Sequence, residues 1–363
     1  MGAAEKLEII QLGDTESPFS DKKYRTEYTY DGDGVLTQIA RPNGTNVTYS
    51  YLPGSVILSS ISNGTGTYSF TGYDSNGKAN TITSPYDLKN EFTRLGPYLK
   101  TDKLTNLSIP RVYGTVEISY KSNRWLPDVI KIKDTTGATF GSVTYNYDKD
   151  GLVTQVGDLS FTRSSSSGQI TAATLGGISE SYTYDSYGAI ATYTVSYGGS
   201  PLYSYSITRD LLGRIDEWTE TVQGVATTED YIYDSRGRLS EIKIGGVTQS
   251  SYNYSFNSNR TSGNVRGTNF SATFDAQDRI KTWKTLTYSY NANGELTSKV
   301  NSSPVETTSY SWDFMGQLKQ IDKPNGDVVK YRYDGKQRKA QVQVNGTAVA
   351  NYLYQDDLRA AAR

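Results

Sequence analysis

The chain of 363 residues contains no cysteine and no histidine. Disulfides, thiolate nucleophiles, zinc–thiolate sites, imidazole bases and histidine pH switches are therefore excluded. No apolar run approaches the length of a membrane helix, so no membrane span is expected. The opening residues, MGAAEKLEII, carry no signal-peptide pattern. Neither sign of charge dominates: 37 basic and 38 acidic residues give a formal net charge of −1 and are mixed along the chain. No basic stripe exists to bind nucleic acid. No Ser-His or Cys-His triad can form, and no Gly-x-x-x-x-Gly-Lys phosphate loop occurs. No catalytic residue, cofactor or metal site is expected. Met is used 2 times and long Ala/Leu/Glu windows are scarce, which argues against helix.

What is abundant is tyrosine, 31 residues, and glycine, 34. They recur as Tyr-x-Tyr-Asp-x-x-Gly-x-Leu-x-x-Ile. The clearest copy runs from Tyr231 through Tyr233, Asp234 and Gly237 to Ile242. Others hold Tyr28, Tyr30, Asp31 and Gly34; Tyr145, Tyr147, Asp148 and Gly151; Tyr182, Tyr184, Asp185 and Gly188. Further copies hold Tyr288, Tyr290 and Gly294; Tyr310, Trp312, Asp313 and Gly316; and Tyr331, Tyr333 and Asp334. Two tyrosines spaced by two point to one face of a strand. Asp can accept hydrogen bonds from the N–H groups that follow it, and Gly can take positive φ, so Asp-x-x-Gly is a turn. Leu239 and Ile242 are three apart, which requires a bulge or burial on both faces. The return strand ends in a second turn class, as at Pro42-Asn43-Gly44, Gln223-Gly224, Gly245-Gly246 and Asn345-Gly346. These read as two-residue hairpin turns.

Alternating turns give an antiparallel meander of sixteen hairpin units, mostly about 21 residues apart. Phe70, Arg94, Arg163 and Ile207 stand as worn second members of the Tyr pair. The fold class expected is all-β: a continuous hairpin meander coiled into a spiral, hollow shell or an open part of one. About 32 strands at roughly 4.8 Å each would make a flat sheet of about 150 Å, and sheets that wide do not stay flat. Closed once, the wall would be roughly 50 Å across, too wide for side chains to fill. The organisation expected is a lead-in strand and loop at 1–27, divergent repeats at 28–144 and regular repeats at 145–363, all one array. Within it, 85–135 is expected to be irregular, with Pro97, Pro110 and Pro127 interrupting pairing and room for a short helix at Tyr86–Leu95.

The motif in register, with both turn classes, resembles the YD-repeat or rearrangement-hotspot family, which includes bacterial toxin shells, toxin-complex cocoon proteins and teneurins. The resemblance covers residues 28–358. It implies a bacterial, non-enzymatic β-shell that encapsulates a toxin polypeptide as its partner, in a parent protein that is secreted or displayed at the cell surface. Many bacterial members continue into a self-cleaving core segment. The repeats run out at Leu358-Arg359, where that segment would be expected to begin, so the resemblance is to the wall alone. The two free sheet edges imply self-association or a capping loop.

Three stretches invite chemistry. Asn146-x-Asp148-x-Asp150-Gly151 resembles the start of a calcium loop, but its twelfth position is Gly157 rather than Glu, and turn chemistry explains the same residues. Asp356-Asp357 could form a carboxylate pair, against a solvated terminal turn. The tyrosine rows could serve a cell-surface adhesion or glycan-binding module, against rings that simply cover one another.

Overall fold

The computed structural model describes residues 6–10, 25–109, 111–122, 124–355 and 360–362. The described chain has no helix and is an antiparallel hairpin meander in which successive strands pair, with Leu353–Tyr354 and Ala360–Ala362 forming a separate two-stranded pair. It divides into two compact units. One comprises Met1–Ser119, Ile130–Ser142 and Phe274–Arg363; the other comprises Tyr120–Val129 and Val143–Thr273.

The register explains the motif. Tyr231 faces Ile242, Ile232 faces Glu241, and Tyr233 faces Leu239, so Ser240 is the extra residue of a bulge. The same slip recurs at Tyr30 against Leu36, Tyr147 against Val153, Tyr184 against Ile190, Tyr290 against Leu296, Trp312 against Leu318 and Tyr333 against Lys339. The first Tyr meets the Ile position and the second meets the Leu position, so both apolar residues share the tyrosine face. The bulged residue is often Ser or Thr, and its hydroxyl donates back across the pair. Thr37 reaches Thr29 O at 3.1 Å, Ser240 reaches Ile232 O at 3.1 Å and Thr297 reaches Ser289 O at 3.1 Å.

The turns divide by length rather than by rim alone. After each Asp, its Oδ1 accepts two backbone N–H groups, as Asp234 does from Arg236 and Arg238 at 2.9 Å each. The fourth turn residue takes positive φ: Gly237 at 78°, or Gln337 at 64° where the glycine has moved to position 335. Gln223-Gly224, Gly245-Gly246 and Asn345-Gly346 hold positive φ at both residues, as a type I′ turn requires. Pro42-Asn43-Gly44 and Pro324-Asn325-Gly326 differ from the two-residue reading. There the turn spans four residues, with Gly44 N donating to Arg41 O and Gly326 N to Lys323 O. Proline fixes φ near −65°, which suits the second position of such a turn and bars a type I′ pair.

Other expectations are corrected. The helix at Tyr86–Leu95 is instead the strand Leu88–Leu95, paired with Tyr98–Asn106 along its length with one slip between Thr93 and Arg94. Alternating burial of Leu88, Asn90 and Phe92 sets its period. The stretch 85–135 holds long strands, including Arg111–Tyr120. Pro97 follows Gly96 in a tight turn between them, and Pro127 is the first residue of the strand Pro127–Lys133, where no ladder is broken. Pro110 lies outside the described residues. The Asp turns follow Tyr73 and Arg209, not Phe70 and Ile207, since Asp74 and Asp210 are the residues whose Oδ1 caps the turn.

In the first unit, turn tips of the ladder running from Ile280–Trp283 to Thr347–Asn351 pack on strands between Asn46 and Asn106. Phe314 and Met315 meet Val47, Ile61 and Tyr68, with the Tyr68 and Phe314 rings 6.0 Å apart. Leu88, Leu104 and Ala340 form a second cluster. In the second unit, by contrast, the buried apolar side chains among the described residues are Ala173, Phe270 and Ala272.

Candidate functional site

The repeat motif builds a joint between successive hairpins. The second tyrosine of one unit donates its hydroxyl to the carbonyl at the Leu position of the unit before. Tyr51 reaches Leu36 O at 2.6 Å, Tyr254 reaches Leu239 O at 2.6 Å and Tyr333 reaches Leu318 O at 2.7 Å. Tyr147, Tyr184, Tyr233 and Tyr290 do the same to Pro127, Ile170, Ile215 and Ile280. Worn copies keep the donor: Trp312 Nε1 reaches Leu296 O at 2.7 Å, Arg94 reaches Ala79 O at 2.9 Å and Arg163 reaches Val153 O at 3.0 Å. These carbonyls sit beside the bulge, where the ladder is interrupted.

Four turns add an arginine that sequence reasoning missed, always four residues after the Asp. Arg238 pairs with Asp234 at 2.7 Å and lies 4.5 Å over the Tyr254 ring, whose hydroxyl bonds the next carbonyl. Arg214 does so with Asp210 and Tyr233, Arg279 with Asp275 and Tyr290, and Arg338 with Asp334 and Tyr354. The signal was present as Asp-x-x-Gly-Arg or its variants; its role needed the neighbouring ring. The Arg238 guanidinium, with backbone N–H groups, holds the Asp234 carboxyl below the usual range, and Asp210 is lowered by Arg214 in the same way.

The last of these joints is buried. Arg338 Nη2 lies 2.6 Å from both Asp334 and Asp102, and Asn90 Nδ2 donates to Asp102 at 2.8 Å. Gly335 N donates to Asn90 Oδ1 at 2.8 Å. Asp334 is 0% exposed and Asp102 4%, so two carboxyl groups share one guanidinium out of water. Burial pushes the Asp334 carboxyl up against the pull of Arg338. Nearby, Tyr86 donates to Asp313 at 2.7 Å, and burial followed by that carboxylate raises its hydroxyl. A polar cleft of about 390 Å³ opens beside it, lined by Arg41, Asn63, Glu295, Tyr310, Trp312 and Lys319.

The remaining candidates sort as follows. Asp148 Oδ1 is taken by the N–H groups of Asp150 and Leu152 at 2.9 Å each, so the calcium-like stretch is a turn of the same kind as the others. Asp31, Asp185 and Asp313 cap their turns likewise, and Gly34, Gly151, Gly188, Gly294 and Gly316 all hold positive φ. Tyr28, Tyr145, Tyr288, Tyr310 and Tyr331 face Ile39, Val156, Lys299, Ile321 and Val342. Tyr182 faces Tyr193. Asp356-Asp357 lies outside the described residues.

The teneurin YD-shell family model matches residues 98–361, more than half of the sequence. The chain belongs to the teneurin YD-shell family. Among solved structures, this YD-shell chain resembles the crystal structure of TcdB2-TccC3-Cdc42, with a TM-score of 0.56 and 13% identity over 92% of this chain and 22% of that one. It also aligns with the crystal structure of TcdB2-TccC3-TEV, at a TM-score of 0.41 and 13% identity over 90% of this chain and 24% of that one. The Photorhabdus luminescens Tc holotoxin pore carrying a TccC3 mutation aligns at a TM-score of 0.35 and 12% identity, over 91% and 23%. The YD-shell chain thus spans about a fifth of the length of the first of these. No curated protein matches its sequence.

Proposed function

We propose that this chain is a non-enzymatic segment of the wall of a bacterial YD shell that encloses and protects a toxin polypeptide for delivery. Family membership and the fold shared with TcdB2-TccC3-Cdc42 support a shell role. The observation that carries the reading is the joint itself. A Tyr hydroxyl fastens hairpin to hairpin, and in four turns Asp and Arg brace the same joint, so neighbouring hairpins are tied without needing a thick core. Such a wall suits enclosure better than catalysis. The parent would be secreted or displayed on the cell surface, and the free sheet edges would meet other parts of it or another copy.

The test uses the parent protein with an unfolded polypeptide placed after the repeats. Protease should spare that polypeptide while the wall is intact and digest it once the wall is denatured. Digestion at the rate of the free polypeptide, with the wall intact, would overturn enclosure.

A further inference from the structure

Five rings form a continuous strip across the strands Ile178–Tyr184, Ile190–Tyr197, Ser200–Arg209 and Ile215–Val222. Tyr182 and Tyr193 have centroids 5.1 Å apart, Tyr193 and Tyr205 5.3 Å, and Tyr205 stacks on Trp218 at 4.4 Å. Tyr203 joins the strip 6.2 Å from both Tyr193 and Tyr205. All are half-buried, so ring surface remains open to solvent.

The cross-strand register places carboxylates on this same face. Glu180 lies opposite Val195, Glu220 opposite Tyr205 and Glu229 opposite Trp218. Glu229 pairs with Arg266. Glu180 accepts the Tyr182 hydroxyl, burial and the nearby Glu220 carboxylate push the Tyr203 hydroxyl up, and neither carboxylate has a cationic partner among the described residues. Two further cations on this face are paired at the turn ends, Arg209 3.4 Å from Asp185 and Arg214 2.6 Å from Asp210. Glu180 and Glu220 are three strands apart, roughly 14 Å. The opposite face carries the hydroxyl pairs Thr183–Thr192 and Thr219–Thr228, with Glu217 opposite Asp230 and Glu241 paired with Lys243, and among the described residues has no row of rings beside its carboxylates. In a chain of net charge −1 this is a local acidic strip.

We propose that the strip is a binding site for an extended cationic polypeptide, with Lys or Arg heads on the ring faces and against Glu180 and Glu220. Ring faces carry the negative part of the aromatic quadrupole and attract guanidinium and ammonium groups, and unpaired carboxylates add to that attraction. Saccharide is the weaker fit, because neighbouring tyrosine rings tilt by 37° to 68° and form no flat platform. The ligand's owner, a Lys/Arg-rich stretch of the enclosed polypeptide, rests on the shell reading. Binding itself does not, so protease protection and the following titration can fail separately.

The experiment titrates the full chain into fluorescently labelled nona-arginine and follows anisotropy. Nona-glutamate and a neutral saccharide series serve as the other probes. Nona-arginine should bind, more weakly at high salt. Glu180→Gln with Glu220→Gln should weaken it about tenfold, and Tyr193→Ala with Tyr205→Ala by a similar factor. Glu217→Gln with Glu241→Gln removes the same charge from the other face and should leave affinity unchanged. Circular dichroism melting of every variant must match the parent chain for the comparison to count, and the Gln pair meets that requirement most readily because it keeps shape. Equal loss from both Gln pairs, no binding of nona-arginine, or tighter binding of saccharide than of nona-arginine would each overturn the proposal.

Discussion

Tyr254 shows how much one side chain of the motif carries. Its ring supports Arg238 and its hydroxyl closes the carbonyl of Leu239 at the bulge. Tyr254→Phe keeps the ring and loses the bond, so the expected loss is about 1 kcal/mol, read by urea unfolding. Local amide exchange should rise around Leu239. Gly335 is a different case. Its turn takes positive φ at Gln337 instead, so the glycine is there for space: a Cβ would sit 2.6 Å from Ile82 Cβ and 2.7 Å from Ile82 O. Gly335→Ala should destabilise the first unit by about 2 kcal/mol or more, whereas Gln337→Gly should be neutral or stabilising. Differential scanning of both variants checks the pair. The sequence shows a glycine near each turn, but whether it serves φ or close approach depends on a partner about 250 residues away.

At the scale of the hairpin, the Asp turns set a pH dependence. Asp74, Asp134, Asp210 and Asp234 are all held below the ordinary value, the first mainly by the N–H of Lys78, the second by Thr136, the others by their arginines. A lowered carboxyl stabilises the fold above its unfolded value and loses that contribution as pH falls through the folded one. Melting temperature should therefore be level near neutrality and fall from roughly pH 4 downward, as these groups protonate. Asp334 acts in the opposite sense, because burial raises it and its contribution declines as pH rises. Much of the hairpin was legible beforehand. The spacing of Leu239 and Ile242 demanded a bulge, and Asp-x-x-Gly demanded a turn. The hydroxyl at Ser240 was not, since Ser and Thr are everywhere in this chain. Phase was lost at Phe70 and Ile207 because alternation of aromatic and β-branched residues continues unbroken up to Tyr73 and Arg209, and the capping Asp alone fixes the end. Tyr86–Leu95 left room for a short helix because no Tyr-x-Tyr-Asp copy marks it, yet burial of Asn90 by Asp102 and Gly335 decides for strand.

At the scale of the whole molecule, the least legible feature is the cluster that joins distant ladders of the first unit. Asp102 and Arg338 are 236 residues apart and nothing local marks them as partners. Arg338→Met would leave two carboxylates facing each other without a cation, at a cost of about 3–5 kcal/mol. Asp102→Asn keeps the geometry and leaves one carboxyl group to one guanidinium, so its cost should be clearly smaller, a contrast that chemical denaturation resolves. The proposed shell segment is a wall around open space. Small-angle scattering of the isolated chain tests this most directly. A compact globule of 363 residues has a radius of gyration of about 21 Å. The wall predicts a value clearly above that, with pair distances shifted outward, whereas a radius at the compact figure would contradict it.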